Sequence, residues 1–195
     1  RRLMFALRFT DTDILFTNQL TPESRILYHR RIADRVQQLA PFLTFDADPY
    51  LVLSNGRLMW IQDAYTTSPN YPYATPTLYQ NGRINYIRNS VKIVIDAYHG
   101  STSFYLAEPS DPIAMTLAKI FPGLLKPMAE MPADLRKHVR YPEDIFNIQA
   151  SLYQSYHMTN PQVFYNKEDL WQVPVIETER GAQAMQPYYT IMRLP

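Results

Sequence analysis

The side chains of this chain that could do chemistry are carboxylates, histidines and tyrosines, because cysteine is absent. Two Asp-x-Asp patterns occur, Asp11 with Asp13 and Asp46 with Asp48. Such pairs can present two carboxylates to Mg²⁺, Mn²⁺ or Ca²⁺. Helix capping and turn formation explain them more simply, since Asp13 precedes a helix-like run and Asp48 precedes a proline. We therefore assign these aspartates to caps and turns, with metal binding as the alternative.

The four histidines form no local metal or catalytic motif. They lie far apart in the sequence, at His29, His99, His138 and His157, and none belongs to an HExxH pattern. No GxSxG, GxGxxG or P-loop pattern occurs, and the lack of cysteine excludes thiol catalysis, thiolate metal sites and disulfides. The sequence therefore predicts no bound metal, no cofactor and no assignable catalytic residue.

The strongest candidate for function is the tyrosine-rich segment 63–82, DAYTTSPNYPYATPTLYQNG. We expect it to join two hairpins without a helix or strand of its own, and long irregular connections are often functional. Its prolines restrict the backbone and would hold the aromatic rings at low entropic cost. Sugar rings or a partner protein could stack there; alternatively, the tyrosines cover the sheet as part of the core. The candidate ligand-binding residues are Asp63, Tyr65, Tyr71, Tyr73 and Tyr79.

Strands must position this segment, because the hydrophobic period changes to two in the middle of the chain. An Asn55-Gly56 pair between the apolar runs 50–54 and 58–64 is a strong hairpin signal. A second hairpin is predicted over 90–107, with its turn at His99-Gly100. Two hairpins predict an antiparallel sheet of at least four strands.

Helices are predicted on both sides of these strands. Thr21, a capping hydroxyl, and Pro22 begin the clearest one, whose buried face would hold Tyr28, Ile32, Val36, Leu39 and Leu43. Its polar face carries arginines, which we assign to solvent, with contact to anionic lipid or glycan as the alternative: Arg25, Arg30, Arg31 and Arg35. An earlier helix is expected within 3–16.

Three later helices begin near Pro112, Pro132 and Pro142. The inward stripes of the first and the last would be Ile113, Leu117, Ile120 and Phe121, and Ile145, Ile148, Leu152 and Tyr156. Helices followed by strands and then helices, without βαβ alternation, predict an α+β fold in which flanking helices pack on the antiparallel sheet.

Length and composition fit one folded domain over 1–195. A net charge of +1 and a hydrophobic content of 46% argue against disorder and against a nucleic-acid partner. No apolar run reaches the ~20 residues of a membrane-spanning helix, so we expect the chain itself to be soluble. The polar segment 177–187 is predicted to be a linker. Residues 188–195 are predicted to form a terminal strand, whose free edge could pair with another copy.

The stretch 141–174, YPEDIFNIQASLYQSYHMTNPQVFYNKEDLWQVP, resembles uncharacterised protein family 0182 residue by residue. The resemblance extends to TPESRILYHRRI at 21–32, GRLMWIQDAYT at 56–66 and NYIRNSVKIVIDAYHG at 85–100. That family consists of large bacterial multi-pass integral membrane proteins. The resemblance implies a parent protein of the cell membrane whose transmembrane block precedes Arg1. It also implies that this chain belongs to the water-exposed portion, on the extracytoplasmic side, and it implies no particular activity.

Two functions are compatible with these observations. The first is a noncatalytic extracytoplasmic binding or assembly domain of a multi-pass membrane protein, with an unidentified envelope component or protein as partner. The alternative is a hydrolase or transferase acting on cell-envelope polymers. An exposed tyrosine-lined groove without paired carboxylates would favour binding, whereas two acidic side chains or two histidines converging in a cleft would favour catalysis.

Overall fold

The structure is a computed structural model that describes residues 1–26, 28–179, 181–190 and 192. The chain divides into two compact units, Arg1–Arg30 and Arg31–Pro195. The predicted α+β fold is confirmed, since the second unit holds a mixed sheet of six strands together with helices. Among the described residues, no helix is both long and apolar enough to cross a bilayer.

The first unit holds two short helices, α1 (Arg2–Phe9) and α2 (Asp13–Phe16). The helix expected within 3–16 is interrupted at Thr10, whose φ of 53° ends α1 in a left-handed cap. Asp11 then accepts a hydrogen bond from the amide of Asp13 at 2.9 Å. The first Asp-x-Asp pattern is therefore a turn between two helices, in line with its assignment from the sequence.

The prediction of a helix starting at Thr21 is wrong, because residues 21–26 and 28–31 lie outside any helix and α3 spans Ile32–Leu39. The Thr21 amide donates to Ser24 Oγ at 2.9 Å, a local side-chain bond that competes with helix formation. His29 has a φ of 51°, which a right-handed helix does not contain. A local turn therefore forms where Thr21 and Pro22 predicted the start of a helix.

The second unit contains the strands. They are β1 (Thr44–Phe45), β2 (Tyr50–Ser54), β3 (Arg57–Ser68), β4 (Thr77–Tyr79), β5 (Gly82–Ile84), β6 (Tyr86–Asp96), β7 (Thr102–Leu106), β8 (Leu125–Pro127), β9 (Val175–Thr178) and β10 (Gly181–Ala184). The main sheet has the order β1-β3-β6-β7-β8, and β2 pairs with β3 on the edge that β1 also uses. The described pairs are antiparallel, apart from β7 with β8. Two small hairpins, β4 with β5 and β9 with β10, lie outside this sheet.

Both hairpins predicted from the sequence are present. Asn55 and Gly56 have φ values of 48° and 75°, and a two-residue type I′ turn needs this left-handed conformation at both positions. Gly100, with a φ of 66°, lies in the turn that joins β6 to β7. The long strands β3 and β6 pair with each other, and a bulge between Ala64 and Thr66 shifts their register.

The remaining helices are α4 (Pro112–Ile120), α5 (Ala133–Arg136), α6 (Glu143–Tyr156) and α7 (Pro161–Asn166), with a 3-10 turn at Met128–Glu130. The starts predicted at prolines 112, 132 and 142 are confirmed to within a residue. The predicted inward stripes are partly wrong, because the buried positions lie in the first turns, at Ala114 and Ile145. The later members of both stripes are exposed: Ile120, Phe121, Leu152 and Tyr156.

The hydrophobic core lies on both faces of the main sheet. One cluster consists of Val36, Ala40, Leu43, Ala64, Val91, Ile93, Ile95 and Phe104. The other consists of Tyr50, Val52, Ile61, Val94, Tyr105, Met131 and Leu135. Ile93 and Val94, neighbours on β6, belong to different clusters because successive side chains of a strand point to opposite faces. The sheet is therefore covered on both sides, by α3 on one and by α5 on the other.

The segment 63–82 contains more regular structure than predicted. β3 continues to Ser68, pairing with the start of β6 beyond the bulge, and β4 and β5 form a hairpin at the other end. The irregular part is therefore 69–76. The prediction missed this continuation because β3 keeps pairing past the bulge, where the alternating pattern of side chains slips by one residue.

The end of the chain also differs from expectation. The predicted linker 177–187 takes part in the β9–β10 hairpin, because Gly181, with a φ of 102°, lets the chain reverse, and Thr178 Oγ1 donates to its carbonyl at 2.8 Å. Of the predicted terminal strand 188–195, residues 188–190 and 192 are not in a strand. Residues 191 and 193–195 lie outside the described part of the chain.

Candidate functional site

Helix α6 begins at a network of partly buried carboxylates. Asp46 Oδ2 accepts the amide of Asp144 at 3.1 Å, and the Asp144 carboxylate accepts the hydroxyl of Tyr79 at 2.8 Å. Acceptors suit a helix start because the first amides of a helix have no intrahelical partner. These bonds tie the first turn of α6 to the loop after β1 and to β4, and thereby fix the direction in which the helix leaves the sheet.

The chain returns along α6 after α7 and brings Trp171 to the helix. Asn160 caps α7 by accepting amides of its first turn, and Lys167 ends α7 with a φ of 54°. The Trp171 amide then donates to the carbonyl of Gln154 at 3.2 Å. The short helix and its left-handed end therefore place the segment 171–174 beside α6.

A cleft of about 510 Å³, which we call the α6 cleft, lies between α6, the segment 171–174 and residues 185–188. The amide of Met185 donates to the Pro174 carbonyl at 2.8 Å and closes the base of the β9–β10 hairpin. This bond holds residues 185–188 in place as the third wall. Volumes of this size are typical of small-molecule sites. The cleft is lined by four aromatic residues, Phe146, Tyr153, Trp171 and Tyr188, and by four carboxamides, Asn147, Gln154, Gln172 and Gln186.

Trp171 forms a fixed aromatic surface in this cleft. Its indole stacks on the imidazole of His157, with ring centroids 3.9 Å apart and an interplanar angle of 23°. Tyr153 contacts Trp171 edge-on at 5.6 Å. The His157 ring is itself held by the Tyr153 carbonyl at 2.9 Å and by Asp169 at 3.3 Å. Because 49% of Trp171 stays exposed, a positioned indole surface is available for contact.

The described residues that line the α6 cleft carry no charge. Of the described residues, those that line it include no Asp, Glu, Lys, Arg or His. Aromatic faces supply apolar contact, and carboxamides both donate and accept hydrogen bonds. The lining can therefore bind and orient a ligand, while it offers no carboxylate or imidazole for acid–base chemistry.

The residues predicted to bind a ligand lie in different environments. Asp63 and Tyr65 are buried on β3, and Tyr79 is partly buried on β4, where its ring contacts that of Tyr65 edge-on at 6.1 Å. The Tyr65 hydroxyl donates to Asp46 inside the protein. Tyr71 and Tyr73 are exposed, and Tyr71 stacks on Tyr86 at 5.1 Å. Ligand binding by these residues stays a prediction, for which Tyr71 and Tyr73 are the accessible members.

Asp63 is paired with Lys92 in the interior of the sheet. The two residues face each other across β3 and β6 and form a buried ion pair. Lys92 Nζ also donates to the Arg140 carbonyl at 3.1 Å, and Asn89 donates to Asp63 at 3.2 Å. Burial raises the pKa of Asp63, and the charge and hydrogen bond of Lys92 offset only part of that rise. A pair with this many internal partners has a structural role.

The carboxylates at the start of α6 also include Glu143. Burial, followed by the charges of Asp48, Asp46 and Asp144, raises the pKa of Glu143. Asp46 Oδ1 accepts the Asp48 amide at 3.0 Å, so the second Asp-x-Asp pattern is also a turn. Within the part of the chain that the structure describes, no three His, Cys, Asp or Glu side chains could hold a metal ion. Burial also raises the pKa of Asp144, so both carboxyl groups in the first turn of α6 have the raised pKa that general acids need.

The N-terminal unit contains a larger opening of about 1170 Å³, lined by α1 and by residues within 20–26 together with Tyr28. Only Ala6 is buried on α1, while Leu3, Met4 and Leu7 are exposed. A unit of this size buries little apolar surface. The opening therefore reflects a thin core rather than a shaped site.

The sequence contains one signal for the α6 cleft. Phe146 and Tyr153 are seven residues apart and therefore fall on one side of α6, next to the stripe predicted to face inward. Both are exposed. Aromatic residues on the polar side of a helix are a signal for binding, but the part played by Trp171 and Tyr188 depends on the return of the chain.

Comparison with known proteins places the chain in a family. A family model described as "Uncharacterised protein family (UPF0182)" matches residues 1–195. The chain belongs to this family. The resemblance noted in the sequence is thereby confirmed, and no solved structure matches the UPF0182 chain.

Several UPF0182 proteins are similar to this chain along its whole length. Those of Moorella thermoacetica and Sulfurovum sp. (strain NBC37-1) are 55% and 57% identical over 195 and 199 residues. That of Methanospirillum hungatei JF-1 is 48% identical over 199 residues. Each match covers 100% of this chain and 21% or 22% of the relative. The chain therefore spans about one fifth of the length of these relatives.

Proposed function

We propose that this part of the UPF0182 protein is a noncatalytic binding or assembly domain and that the α6 cleft is its binding surface. The observation that carries the proposal is the lining of the cleft, which combines four aromatic side chains with four carboxamides and includes no Asp, Glu, Lys, Arg or His among the described residues. Its partner is an envelope component or a protein. The domain belongs to a multi-pass membrane protein and lies on the extracytoplasmic side.

Exposure of the aromatic residues supports a binding role. Phe146, Tyr153, Trp171 and Tyr188 are all exposed although they lie next to one another around a single cleft. Contiguous exposed apolar surface is uncommon on soluble domains and marks interaction sites. Tyrosine and tryptophan are also the residues that dominate binding energy in such sites.

Tryptophan fluorescence tests the binding proposal, because Trp171 lies in the cleft and the other tryptophan, Trp60, packs against the core. The chain is titrated with fractionated envelope polysaccharides and with envelope protein fractions. The emission of each fraction alone is measured and subtracted. We expect a saturable change of emission with at least one fraction. Tyr153→Ala, which removes a wall of the cleft, should abolish the change.

The matched control is Tyr73→Ala, which removes an exposed tyrosine in the irregular segment 69–76. We expect this variant to bind like the unaltered chain. Loss of binding in Tyr73→Ala, together with unchanged binding in Tyr153→Ala, would move the binding surface to the segment predicted from the sequence. If no fraction changes the emission, the binding proposal is overturned.

The proposed side of the membrane rests on the family resemblance and has its own test. The chain contains no cysteine, so a single Tyr98→Cys substitution in the full-length protein places one thiol at an exposed position of this domain. Labelling of that thiol by a membrane-impermeant maleimide in intact cells is expected. Labelling only after the cells are lysed would place the domain in the cytoplasm.

A hydrolase or transferase of envelope polymers is the second candidate function. It is favoured by Glu143, whose pKa is raised by burial and by the neighbouring carboxylates, as general acids require. Incubation of envelope polymers with the full-length protein, and with a Glu143→Gln variant, separates the two candidates. Turnover that disappears in the variant would establish the enzyme, whereas the binding proposal expects no turnover in either sample.

A further inference from the structure

We propose that the α6 cleft binds a neutral oligosaccharide, with Trp171 as the stacking surface and the carboxamides as hydrogen-bonding partners of the sugar hydroxyls. The inference rests on the proposed binding function and specifies its ligand. It follows from the lining of the cleft, the rigidity of Trp171 and the absence of charge among the described lining residues.

The chemistry of the lining matches the two sides of a sugar ring. A pyranose presents an apolar face of C–H groups and a rim of hydroxyls. The electron-rich face of an aromatic ring attracts the C–H face, and Trp171 offers such a face beside Tyr153. A hydroxyl both donates and accepts hydrogen bonds, and so does a carboxamide. The carboxamides come from all three walls of the cleft: Asn147 and Gln154 from α6, Gln172 from the segment 171–174 and Gln186 from residues 185–188.

The same lining disfavours charged ligands. A phosphate, a uronate or an ammonium group loses hydration on entering a cleft and needs a countercharge to recover that energy. The lining supplies none among the described residues. Nucleotides, anionic polymers and basic peptides are therefore poor occupants, although an uncharged polyhydroxylated chain meets no such penalty.

A proline-rich peptide is the competing occupant, because aromatic grooves also bind polyproline helices. Such a peptide exposes carbonyl acceptors and few donors, since proline has no amide hydrogen. Four carboxamides that both donate and accept match hydroxyl groups more completely. We therefore assign the cleft to the sugar and keep the peptide as an outcome of the test.

Preorganisation lets a stacking surface bind without a large entropic loss. The His157 ring covers one face of Trp171 and is itself held by hydrogen bonds to Tyr153 and Asp169. The Trp171 backbone is tied to α6 through Gln154. The indole therefore keeps its orientation before the ligand arrives, which reduces the conformational entropy lost on binding.

The experiment is a titration of the unaltered chain with neutral oligomers of glucose, mannose and N-acetylglucosamine, a uronic acid oligomer and a proline-rich peptide. Trp171 emission and calorimetry report binding. We expect at least one neutral oligomer to bind and the uronic acid oligomer and the peptide not to bind. Trp171→Ala should weaken binding by about 10- to 100-fold, the loss expected for one stacked ring.

Two further variants separate stacking from hydrogen bonding. Gln154→Leu keeps a side chain of similar size but removes its polar atoms. It should lower the affinity for the neutral oligomer by about 10-fold. Tyr98→Ala, which removes an exposed tyrosine at the β6–β7 turn outside the cleft, should leave the affinity within about twofold. Circular dichroism and the unfolding midpoint of each variant show whether it is folded. A Trp171→Phe variant, which retains a ring, keeps the stacking test valid if Trp171→Ala does not fold.

The outcomes distinguish failure of this inference from failure of the proposed function. The chain could bind the peptide or an envelope protein, lose that binding in Tyr153→Ala and show no response to neutral oligomers. This result overturns the sugar as the ligand but supports the proposed binding function. No response to any ligand or envelope fraction overturns both. Binding of a neutral oligomer that is unchanged in Trp171→Ala and Gln154→Leu places the sugar outside the α6 cleft and overturns the inference.

Discussion

Asp111 lies at the start of α4 with no exposed surface, and four donors reach its carboxylate. The Tyr86 hydroxyl donates at 2.7 Å and the Ile113 amide at 3.0 Å, and the hydroxyls of Thr66 and Ser90 complete the set. Burial alone would raise the pKa of Asp111, but these hydrogen bonds outweigh it and hold the pKa below its ordinary value. A charged group is thus retained in the interior because every acceptor position is occupied.

Asp111→Asn should lower the free energy of unfolding by about 2–4 kcal/mol at neutral pH, because the amide cannot accept from all four donors. The pKa of Asp111 is lower in the folded state than the unfolded value of 3.8. Its stabilisation is therefore present above that pH and is lost as the pH falls through the folded pKa. Urea unfolding at neutral and acidic pH should show the difference between variant and unaltered chain becoming smaller in acid.

The control for this prediction is Asp34→Asn, because Asp34 forms a surface ion pair with Arg31 at 3.7 Å. We expect it to change stability by no more than about 0.5 kcal/mol. A difference between Asp111→Asn and the unaltered chain that stays the same at both pH values would contradict the assigned charge state.

The Asp63–Lys92 pair gives a second prediction at the residue scale. Lys92→Met leaves the Asp63 carboxylate buried without its cation, and we expect a loss of about 3–5 kcal/mol. The double variant Asp63→Leu with Lys92→Met removes both charges and should be less destabilised than Lys92→Met alone. Denaturant unfolding of the set measures the coupling. Additive losses in the double variant would show that the two side chains do not depend on each other.

Among the elements, α3 and the β6–β7 turn are joined through one arginine. Arg35, assigned to solvent from its spacing on the helix, is partly buried, and its Nη1 donates to the Gly100 carbonyl at 2.6 Å. Gly100 has a φ of 66°, and a Cβ at this position would lie 2.1 Å from Arg35 Nη1. A turn that the sequence predicts locally is therefore also a packing site for a helix.

Gly100→Ala should lower the free energy of unfolding by about 1–2 kcal/mol from the left-handed backbone alone, and further if Arg35 is displaced. Gly82→Ala is the matched control, since Gly82 has no heavy atom within 4 Å of a built Cβ and no positive φ. It should change stability by less than about 1 kcal/mol. Chemical denaturation compares the two, and equal losses would show that the turn imposes no special demand on Gly100.

On the scale of the whole molecule, both hydrophobic clusters consist of residues that follow Arg31 in the chain. Each cluster covers one face of the six-stranded sheet. The unit Arg1–Arg30 contributes to neither cluster among the described residues. A sheet with both faces covered has the features of an independently folding domain.

We therefore expect residues 31–195, produced without the first unit, to keep the sheet and to unfold in one cooperative transition. Circular dichroism should retain the strand signal, and the urea midpoint should stay close to that of the full chain. The reverse experiment, a chain ending at residue 30, should give little stable helix, because α1 buries only Ala6. Loss of cooperative unfolding in residues 31–195 would show that the core needs the first unit.

The sequence by itself determined the features that depend on neighbouring residues. Asn55-Gly56 specifies a tight turn because few other pairs adopt two left-handed conformations, and prolines 112, 132 and 142 mark helix starts because proline lacks the amide that a helix interior needs. Residue identity along the whole chain was enough to indicate the UPF0182 family. Thr21-Pro22 carried an equally clear local signal, which the turn to Ser24 and the left-handed His29 overrode.

Only the tertiary structure decided the candidate site and the role of the buried charges. Asp46 caps α6 from 98 positions away, and Lys92 meets Asp63 across two strands. The α6 cleft joins Phe146 and Tyr153 to Trp171 and Tyr188 after the chain has turned back twice, at α7 and at the β9–β10 hairpin. Local propensity acts over a few residues and cannot specify contacts at such separations. These contacts are chosen by the packing of the complete fold, because burial and hydrogen bonding of the whole chain must be satisfied together.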